Sequence, residues 1–101
     1  MVWIAPTNAK EQQIGGQVSH QSRPAAKAEV TIECSGKSQS LKTDSYGRFE
    51  VTMVDTNENC SFTVKFRNVE SETLNFPIPG SNTHLNVNLR RWKDIWLLDT
   101  H

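Results

Sequence analysis

The 101-residue sequence lacks several features that would assign it to a defined functional class. No apolar run approaches the roughly 20 residues of a membrane-spanning helix. Eleven basic side chains are balanced by eleven acidic ones, so there is no excess positive charge to attract nucleic acid or an anionic membrane. The sequence has no Gly-x-Ser-x-Gly motif and no serine with an evident histidine and acid. These absences predict a protein with no transmembrane segment, no nucleic-acid partner and no enzymatic activity.

Patterns typical of metal sites are also missing. His20, His84 and His101 lie far apart, and neither Cys-x-x-Cys nor His-x-x-x-His occurs. The segment 55–59 is rich in Asp and Asn, but it lacks the alternating ligands and terminal Glu of an EF-hand loop. We therefore predict no metal site and no cofactor, and we interpret 55–59 as a solvated loop.

The sequence does contain a repeated alternation of apolar and polar residues, which is the pattern of half-buried β-strands. It is clearest at 28–34, where Ala28, Val30, Ile32 and Cys34 alternate with polar residues. Similar alternations occur at 14–18, 38–43, 48–53, 60–66, 73–78 and 85–89. Seven short strands separated by turn residues predict an all-β fold, an antiparallel Ig-like or transthyretin-like sandwich over residues 13–90.

The stretch 43–51 organises this pattern. Asp44, Ser45 and Gly47 are turn formers, because Asp and Ser can bond their own backbone and Gly tolerates positive φ. Phe49 and Val51 then begin a new alternation. We interpret the stretch as a central hairpin, with one strand before the turn and its partner after it.

Three segments give the chain a resemblance to a known family: Gly16-Gln17-Val18, the run from Pro24 to Ile32, and the run from Thr43 to Phe49. They resemble the carboxypeptidase regulatory-like domain, which is transthyretin-like (prealbumin-like), and the resemblance extends over about residues 14–90. It implies a seven-strand sandwich. Members of that family are commonly accessory modules of secreted or cell-surface proteins and are generally not enzymes. The resemblance therefore also implies a non-catalytic accessory module.

The two cysteines are in phase with core residues. Cys34 continues the face of Val30 and Ile32, and Cys60 begins the face of Phe62 and Val64, so both should point inward. Cys34 ends one strand and Cys60 begins another, so an antiparallel arrangement could bring them together. A disulfide would place the protein in the periplasm or outside the cell. The alternative is two reduced, buried thiols.

The two ends of the chain fall outside the sandwich pattern. Residues 1–12 carry Pro6 and little periodicity, and we interpret them as an N-terminal arm. The apolar start of this arm is either an ordinary extension or the remnant of a truncated signal. Residues 91–101 form a Trp-rich tail, in which Trp92, Ile95 and Trp96 have helical i, i+3, i+4 spacing.

The tail has two interpretations. It could fold back over the sandwich, as a short helix or an extra edge strand. It could instead be an exposed docking segment, in which Trp92, Ile95 and Trp96 contact a partner, because Trp is enriched at binding hot spots.

We therefore predict a non-catalytic, extracytoplasmic module that binds a protein through the tail or an exposed strand edge. The alternatives are a structural spacer or surface component, and a carbohydrate-binding domain that would use Tyr46.

Overall fold

The computed structural model describes residues 11–34, 36–54, 60–76 and 82–100, and all regular elements within these ranges are strands. No helix in these ranges is available to cross a membrane. The predicted arm is described only from Glu11, where the first strand begins, and the predicted loop 55–59 lies outside the described residues. The strands are β1 (Glu11–His20), β2 (Arg23–Pro24), β3 (Glu29–Cys34), β4 (Lys37–Lys42), β5 (Arg48–Val54), β6 (Cys60–Phe66), β7 (Val69–Glu70), β8 (Leu74–Phe76), β9 (Asn82–Trp92) and β10 (Ile95–Thr100).

The strands form two five-stranded sheets that pack as a sandwich, so the predicted fold class is confirmed. The first sheet has the order β10-β9-β1, with β5 and β2 along the other edge of β1. The second has the order β4-β3-β6, with β7 and β8 along the other edge of β6. Pairing between the described strands is antiparallel except for β1 and β9, which run parallel. The seven predicted strands correspond to β1, β3, β4, β5, β6, β8 and β9.

Alternation along the strands builds the core between the sheets. Ile14 and Val18 of β1 are fully buried, as are Val30 and Ile32 of β3, while their sequence neighbours face solvent or are half-buried. Phe49 of the first sheet meets Phe62 of the second at 5.5 Å between ring centroids. Burial of each such side chain contributes about 1.5–3 kcal/mol before the entropy cost of folding.

The predicted central hairpin is wrong in its pairing, although its turn is present. β4 pairs with β3 in the second sheet, whereas β5 pairs with β1 in the first. Residues 43–47 therefore carry the chain from one sheet to the other. The side chain of Gln39 bridges the two strands by donating to the carbonyl of Thr52. Local alternation predicted the strands, but it contains no information on which strands pair.

Asp44 holds this turn together. Its carboxylate accepts from the backbone amides of Tyr46 and Arg48, each at 2.9 Å, and its carbonyl accepts from the amide of Gly47. The bond from the Arg48 amide is the main cause that lowers the pKa of Asp44 below its ordinary value. Asp44 therefore contributes stability at neutral pH, and this contribution is lost as the pH falls through the lowered pKa.

Four turns lie at the same end of the sandwich, at 21–22, 43–47, 67–68 and 93–94, and we name this end the turn end. The amide of Val18 donates to the carbonyl of Gly47, which joins the end of β1 to the second of these turns. His20 lies within 4.9 Å of the Trp96 ring and 5.9 Å of the Phe66 ring, measured between centroids. Because His20, Phe66 and Trp96 lie next to the turns at 21–22, 67–68 and 93–94, these contacts show that the three turns are at the same end of the sandwich.

Thr43 is the one buried polar side chain among the described residues, and its bonds make a specific prediction. Its hydroxyl donates to the carbonyl of Ala25 at 2.5 Å and accepts from the amide of Ala28 at 2.9 Å. Thr43→Val keeps the shape but leaves both buried groups without this partner, so we expect a loss of about 1–3 kcal/mol in the free energy of unfolding. Urea unfolding measures this loss.

The matched control is Thr31→Val. Thr31 bonds the hydroxyl of Ser40 on the solvent side of β3, where water can replace the lost bond. We expect a change within about 0.5 kcal/mol. Equal losses in the two variants would show that the buried bonds of Thr43 have no special role.

Candidate functional site

The C-terminal tail is a β-strand, so the helical face predicted for it is wrong. β9 continues to Trp92, a tight turn follows in which Lys93 has a φ of 53°, and β10 returns antiparallel along β9. In this register Ile95 lies opposite Trp92, Trp96 opposite Arg91, and Leu98 opposite Leu89. The interpretation in which the tail folds back as an extra edge strand is confirmed.

Trp96 is part of the core. Its side chain is 3% exposed, and its indole Nε1 donates to the carbonyl of Phe66 in the opposite sheet at 2.9 Å. The ring packs edge-on against His20, and the guanidinium of Arg91 lies 5.4 Å from its centroid. Trp96 thus anchors β10 to β6, and the surface available for docking is reduced to the other two predicted residues.

The outer edge of β10 is also occupied. The amide of Glu72 donates to the carbonyl of Trp96, and the carboxylate of Glu72 accepts from the amide of Leu98 at 2.8 Å. A bridge between Ser71 and Trp96 completes this contact. The segment after β7 therefore closes one corner of the sandwich, and the backbone groups of β10 at Trp96 and Leu98 already have partners.

Trp92 and Ile95 lie together on the outer face of the first sheet. Their exposed fractions are 54% and 37%, and they are directly opposite each other in the pairing of β9 with β10. Half-buried Leu97 follows on the same face, two residues beyond Ile95. We name Trp92, Ile95 and Leu97 the tip patch. The described residues have three exposed large hydrophobic side chains, which are Tyr46, Trp92 and Ile95. Two of these three belong to the tip patch.

Cations border the tip patch. The ammonium of Lys93 lies 5.4 Å from the centroid of the Trp92 ring. Arg90 lies opposite Leu97 and forms an ion pair with Asp99, with 2.9 Å between Arg90 Nε and Asp99 Oδ2. This hydrogen bond raises the pKa of Arg90 and lowers that of Asp99. The patch is thus an apolar centre with a charged border, which is the arrangement found at protein interfaces.

The disulfide lies at the opposite end of the sandwich from the tip patch. Cys34 and Cys60 are register partners in β3 and β6, their Cα atoms are 4.3 Å apart, and their sulfurs are bonded. The predicted pairing is confirmed, and both residues are buried in the core as their phase indicated. The bond joins neighbouring strands of one sheet rather than the two sheets.

Within the described ranges there is no group of three or more His, Cys, Asp or Glu side chains that could hold a metal ion. His20 is half-buried and packs against two aromatic rings, whereas His84 is exposed on β9. His101 lies outside the described residues. The tip patch holds two of the three exposed large hydrophobic side chains of the described residues, which makes it the candidate contact surface.

Comparison with known proteins places the fold but not a family. The chain matches no family model, and no curated protein matches it. The resemblance to the carboxypeptidase regulatory-like domain therefore stays a resemblance of the quoted segments, although the structure explains their residues physically. Gly16 lies against the backbone of Leu85. Thr43 donates a hydrogen bond to the carbonyl of Ala25, and Asp44 accepts one from the amide of Tyr46 within the turn. Gly47 has a φ of 75°.

Two solved structures share the fold. An NMR structure of a protein from Eubacterium rectale is similar with a TM-score of 0.65 and 12% identity, over 95% of this chain and 93% of that one. A crystal structure of a DUF3823 family protein from Parabacteroides merdae ATCC 43184 is similar with a TM-score of 0.57 and 14% identity. The match covers 91% of this chain but 47% of that protein. At these identities the likeness concerns the fold alone.

Proposed function

We propose that this chain is a non-catalytic accessory module that acts outside the cytoplasm and binds a protein partner through the tip patch. The observation that carries the proposal is the division of the tail's apolar side chains. Trp96 and Leu98 are buried in the core, whereas Trp92 and Ile95 are left side by side in solvent. A tail that served only to cover the sandwich would not need a Trp on its outer face.

The side chains of the patch support a protein partner. Trp is enriched among the few residues that contribute most of the binding free energy at interfaces, and such residues are surrounded by a polar border. Trp92 has this setting, because Ile95 and Leu97 extend the apolar area and Lys93 borders it. The hairpin is rigid, since β10 is bonded on both edges, so little conformational entropy is lost on binding.

A carbohydrate ligand that stacks on an aromatic ring has less support. Tyr46 is 61% exposed, but the guanidinium of Arg48 lies 4.8 Å from its ring centroid. Lys93 occupies the equivalent position over Trp92. A sugar ring would have to displace a favourable cation–π contact at either position.

The edge of the second sheet at β4 is another surface that a partner chain could use. Among the described strands, β4 pairs with β3 alone, and the side chains of β4 are mostly exposed. It is short and has a Lys at each end, which are features that protect natural strand edges from pairing with other chains. We therefore place the docking surface at the tip patch.

The location rests on the disulfide. Disulfides persist in the periplasm and outside cells, and they are rare in reducing cytoplasm. Cys34 and Cys60 are bonded, and both lie in the core. This supports an extracytoplasmic module.

The test compares partner recovery by the wild type and by Trp92→Ala/Ile95→Ala, each expressed with an affinity tag in the host of origin. Because both side chains are exposed, we expect the variant to keep its stability within about 1 kcal/mol. We expect it to recover at least about tenfold less partner, since truncation of hot-spot residues typically costs 2 kcal/mol or more.

The matched control is Glu50→Ala/Thr52→Ala, which alters two exposed residues of β5 in the same sheet. This variant should recover as much partner as the wild type. Equal recovery by the tip-patch variant and the wild type would contradict the proposal.

A further inference from the structure

A groove on the outer face of the second sheet has a different character from the tip patch. It lies at the turn end, has a volume of about 270 Å³, and is lined by Lys27, Glu29, Lys42, Lys65, Arg67 and Asn68. Four of these six residues are cations and one is an anion. We name it the cationic groove.

The strand register holds the cations in place. Glu29 of β3 pairs with Lys42 of β4 on one side and with Lys65 of β6 on the other, so the two Lys residues are two strand spacings apart, about 10 Å. All three side chains face outward, because Val30 and Val64 next to them point into the core. Arg67 lies in the tight turn after β6, with a φ of 55°.

The cations of the groove form no ion pair with the described residues around them, although Lys65 has a carboxylate as its cross-strand neighbour on each side, Glu29 and Glu70. None of them forms an ion pair with Lys27, Lys42 or Lys65, and Glu29 does not approach either of its cross-strand neighbours within 4.0 Å. The carboxylates Asp44 and Asp99, which also belong to the turn end, are paired with Arg48 and Arg90 instead. The ammonium groups of Lys27, Lys42 and Lys65 are therefore available to an external anion, and the guanidinium of Arg67 lies 4.9 Å from the centroid of the Phe66 ring.

The groove is part of a wider charge asymmetry. Nine of the eleven Lys and Arg residues lie in or beside the four turns of the turn end. These nine are Arg23, Lys27, Lys42, Arg48, Lys65, Arg67, Arg90, Arg91 and Lys93. Fewer carboxylates lie there, namely Glu29, Asp44, Glu70, Asp94 and Asp99. This end therefore has an excess of positive charge in a chain whose formal net charge is zero, and it attracts an anionic ligand over a distance that depends on ionic strength.

The residues around the groove indicate the ligand class. A second groove of about 220 Å³ continues from it along the outer face, shares Glu29 and Lys65, and adds Glu70 together with the hydroxyls of Thr31, Thr63, Ser71 and Thr73. No aromatic ring lines either groove, although single-stranded nucleic acid is bound largely by base stacking. Exposed apolar side chains, which would be needed for the core of a protein interface or for a lipid surface, are also absent from both linings.

We propose that the cationic groove binds an acidic saccharide chain, whose carboxylate or sulfate groups contact Lys42, Lys65 and Arg67 and whose hydroxyls contact Thr63 and Thr73 of the adjoining groove. The hydroxyls of Thr31 and Ser71 in that groove are bonded to Ser40 and to the backbone of Val64 and Glu72. Charge-assisted hydrogen bonds from Lys and Arg supply the affinity. The site is independent of the tip patch, because the two lie on outer faces of different sheets.

The experiment titrates the folded, disulfide-bonded protein with two probes, a size-defined heparin oligosaccharide and an oligogalacturonate, at low and at physiological ionic strength. We expect both to bind and to weaken as salt is added. Lys42→Gln/Lys65→Gln should lower the affinity about tenfold, since two exposed charged contacts are lost. The control Arg23→Gln/Lys93→Gln removes the same charge from the turn end outside the groove, and we expect an affinity within about twofold of the wild type.

Three results would overturn the proposal. The first is an absence of binding by either probe at low ionic strength. The second is an equal loss of affinity in the control variant, which would mean that the basic end attracts anions without a site. The third is binding of oligoglutamate or single-stranded DNA as tight as that of the saccharides. Trp92→Ala/Ile95→Ala should bind the probes as the wild type does, so a failure here is distinguishable from a failure of the tip patch.

Discussion

Replacing Gly16 with alanine is expected to destabilise the protein by at least about 3 kcal/mol, and we expect a much lower yield of folded protein from this variant. Gly16 is buried in β1, which is paired on both sides, with β9 running parallel to it. A Cβ at this position would lie 2.6 Å from the carbonyl carbon of Leu85 and closer still to its oxygen. The obstacle is backbone, so no rotamer change relieves it.

The effect would remove a large part of the total stability. A domain of this size is stable by about 0.05–0.15 kcal/mol per residue, so a loss of 3 kcal/mol approaches the margin of a weakly stable one. Urea unfolding followed by Trp fluorescence measures the difference. If the variant is too unstable to purify, its soluble yield can be compared with that of the control variant Gly15→Ala.

Gly15 provides the matched control. It is the neighbouring residue in the same strand, but a Cβ there would lie 3.2 Å from the carbonyl oxygen of Phe49 and 3.7 Å from the side chain of Glu50. Small shifts can accommodate it, and we expect Gly15→Ala to change the free energy of unfolding by about 1 kcal/mol or less. Similar stability of the two variants would contradict the parallel pairing of β1 with β9.

Loss of the disulfide is expected to have the largest effect among changes that leave the backbone path unaltered. Cys34 and Cys60 are separated by 26 residues, and for a loop of this length the chain-entropy model gives about 3–4 kcal/mol of stabilisation. Cys34→Ala/Cys60→Ala should therefore unfold at a lower urea concentration by a corresponding amount. Addition of a reductant to the wild type should produce a similar shift.

The double variant also supplies the control for the reductant. Because it has no cysteine left, a reductant should not shift its unfolding midpoint further. An unchanged midpoint for the reduced wild type would contradict a stabilising role of the bond. Intact mass of protein isolated from its host without reduction tests the bond itself, since two thiols open to alkylation would contradict it.

Period-two alternation was sufficient to predict seven of the ten described strands and the inward phase of both cysteines. Val30, Ile32 and Cys34 are buried with polar residues between them, and this pattern depends only on the geometry of an extended chain. The turn at 43–47 could be predicted for a similar reason, because Asp44 and Gly47 act locally.

Long-range pairing could not be predicted in this way. β5 has the same alternation whether it pairs with β4 or with β1, so the sequence favoured the nearer strand and the structure has the other. The two-residue strands β2 and β7 were missed because their turns lack the glycine typical of tight hairpins. Positive φ is instead adopted by Gln21 and Ser22 in one turn and by Arg67 and Asn68 in the other.

The tail shows how a candidate site can be partly predicted. Ile95, Trp96, Leu97 and Leu98 are all apolar, so the run has no visible period of two, and its spacing from Trp92 coincides with that of a helix. The turn at 93–94 changes the phase, which places Ile95 rather than Trp96 on the same face as Trp92. The residues were identified, but their division between core and surface depends on that turn.

The most direct test of the account is photo-cross-linking from position 92 in the host of origin. A photoreactive residue replaces Trp92 in one variant and the exposed Glu50 of the same sheet in another, and adducts are compared after irradiation of intact cells. We predict a discrete protein adduct from position 92 that is lost when Ile95→Ala is added, with no such adduct from position 50. The same adducts from both positions, or none from position 92, would contradict a docking surface at the tip patch.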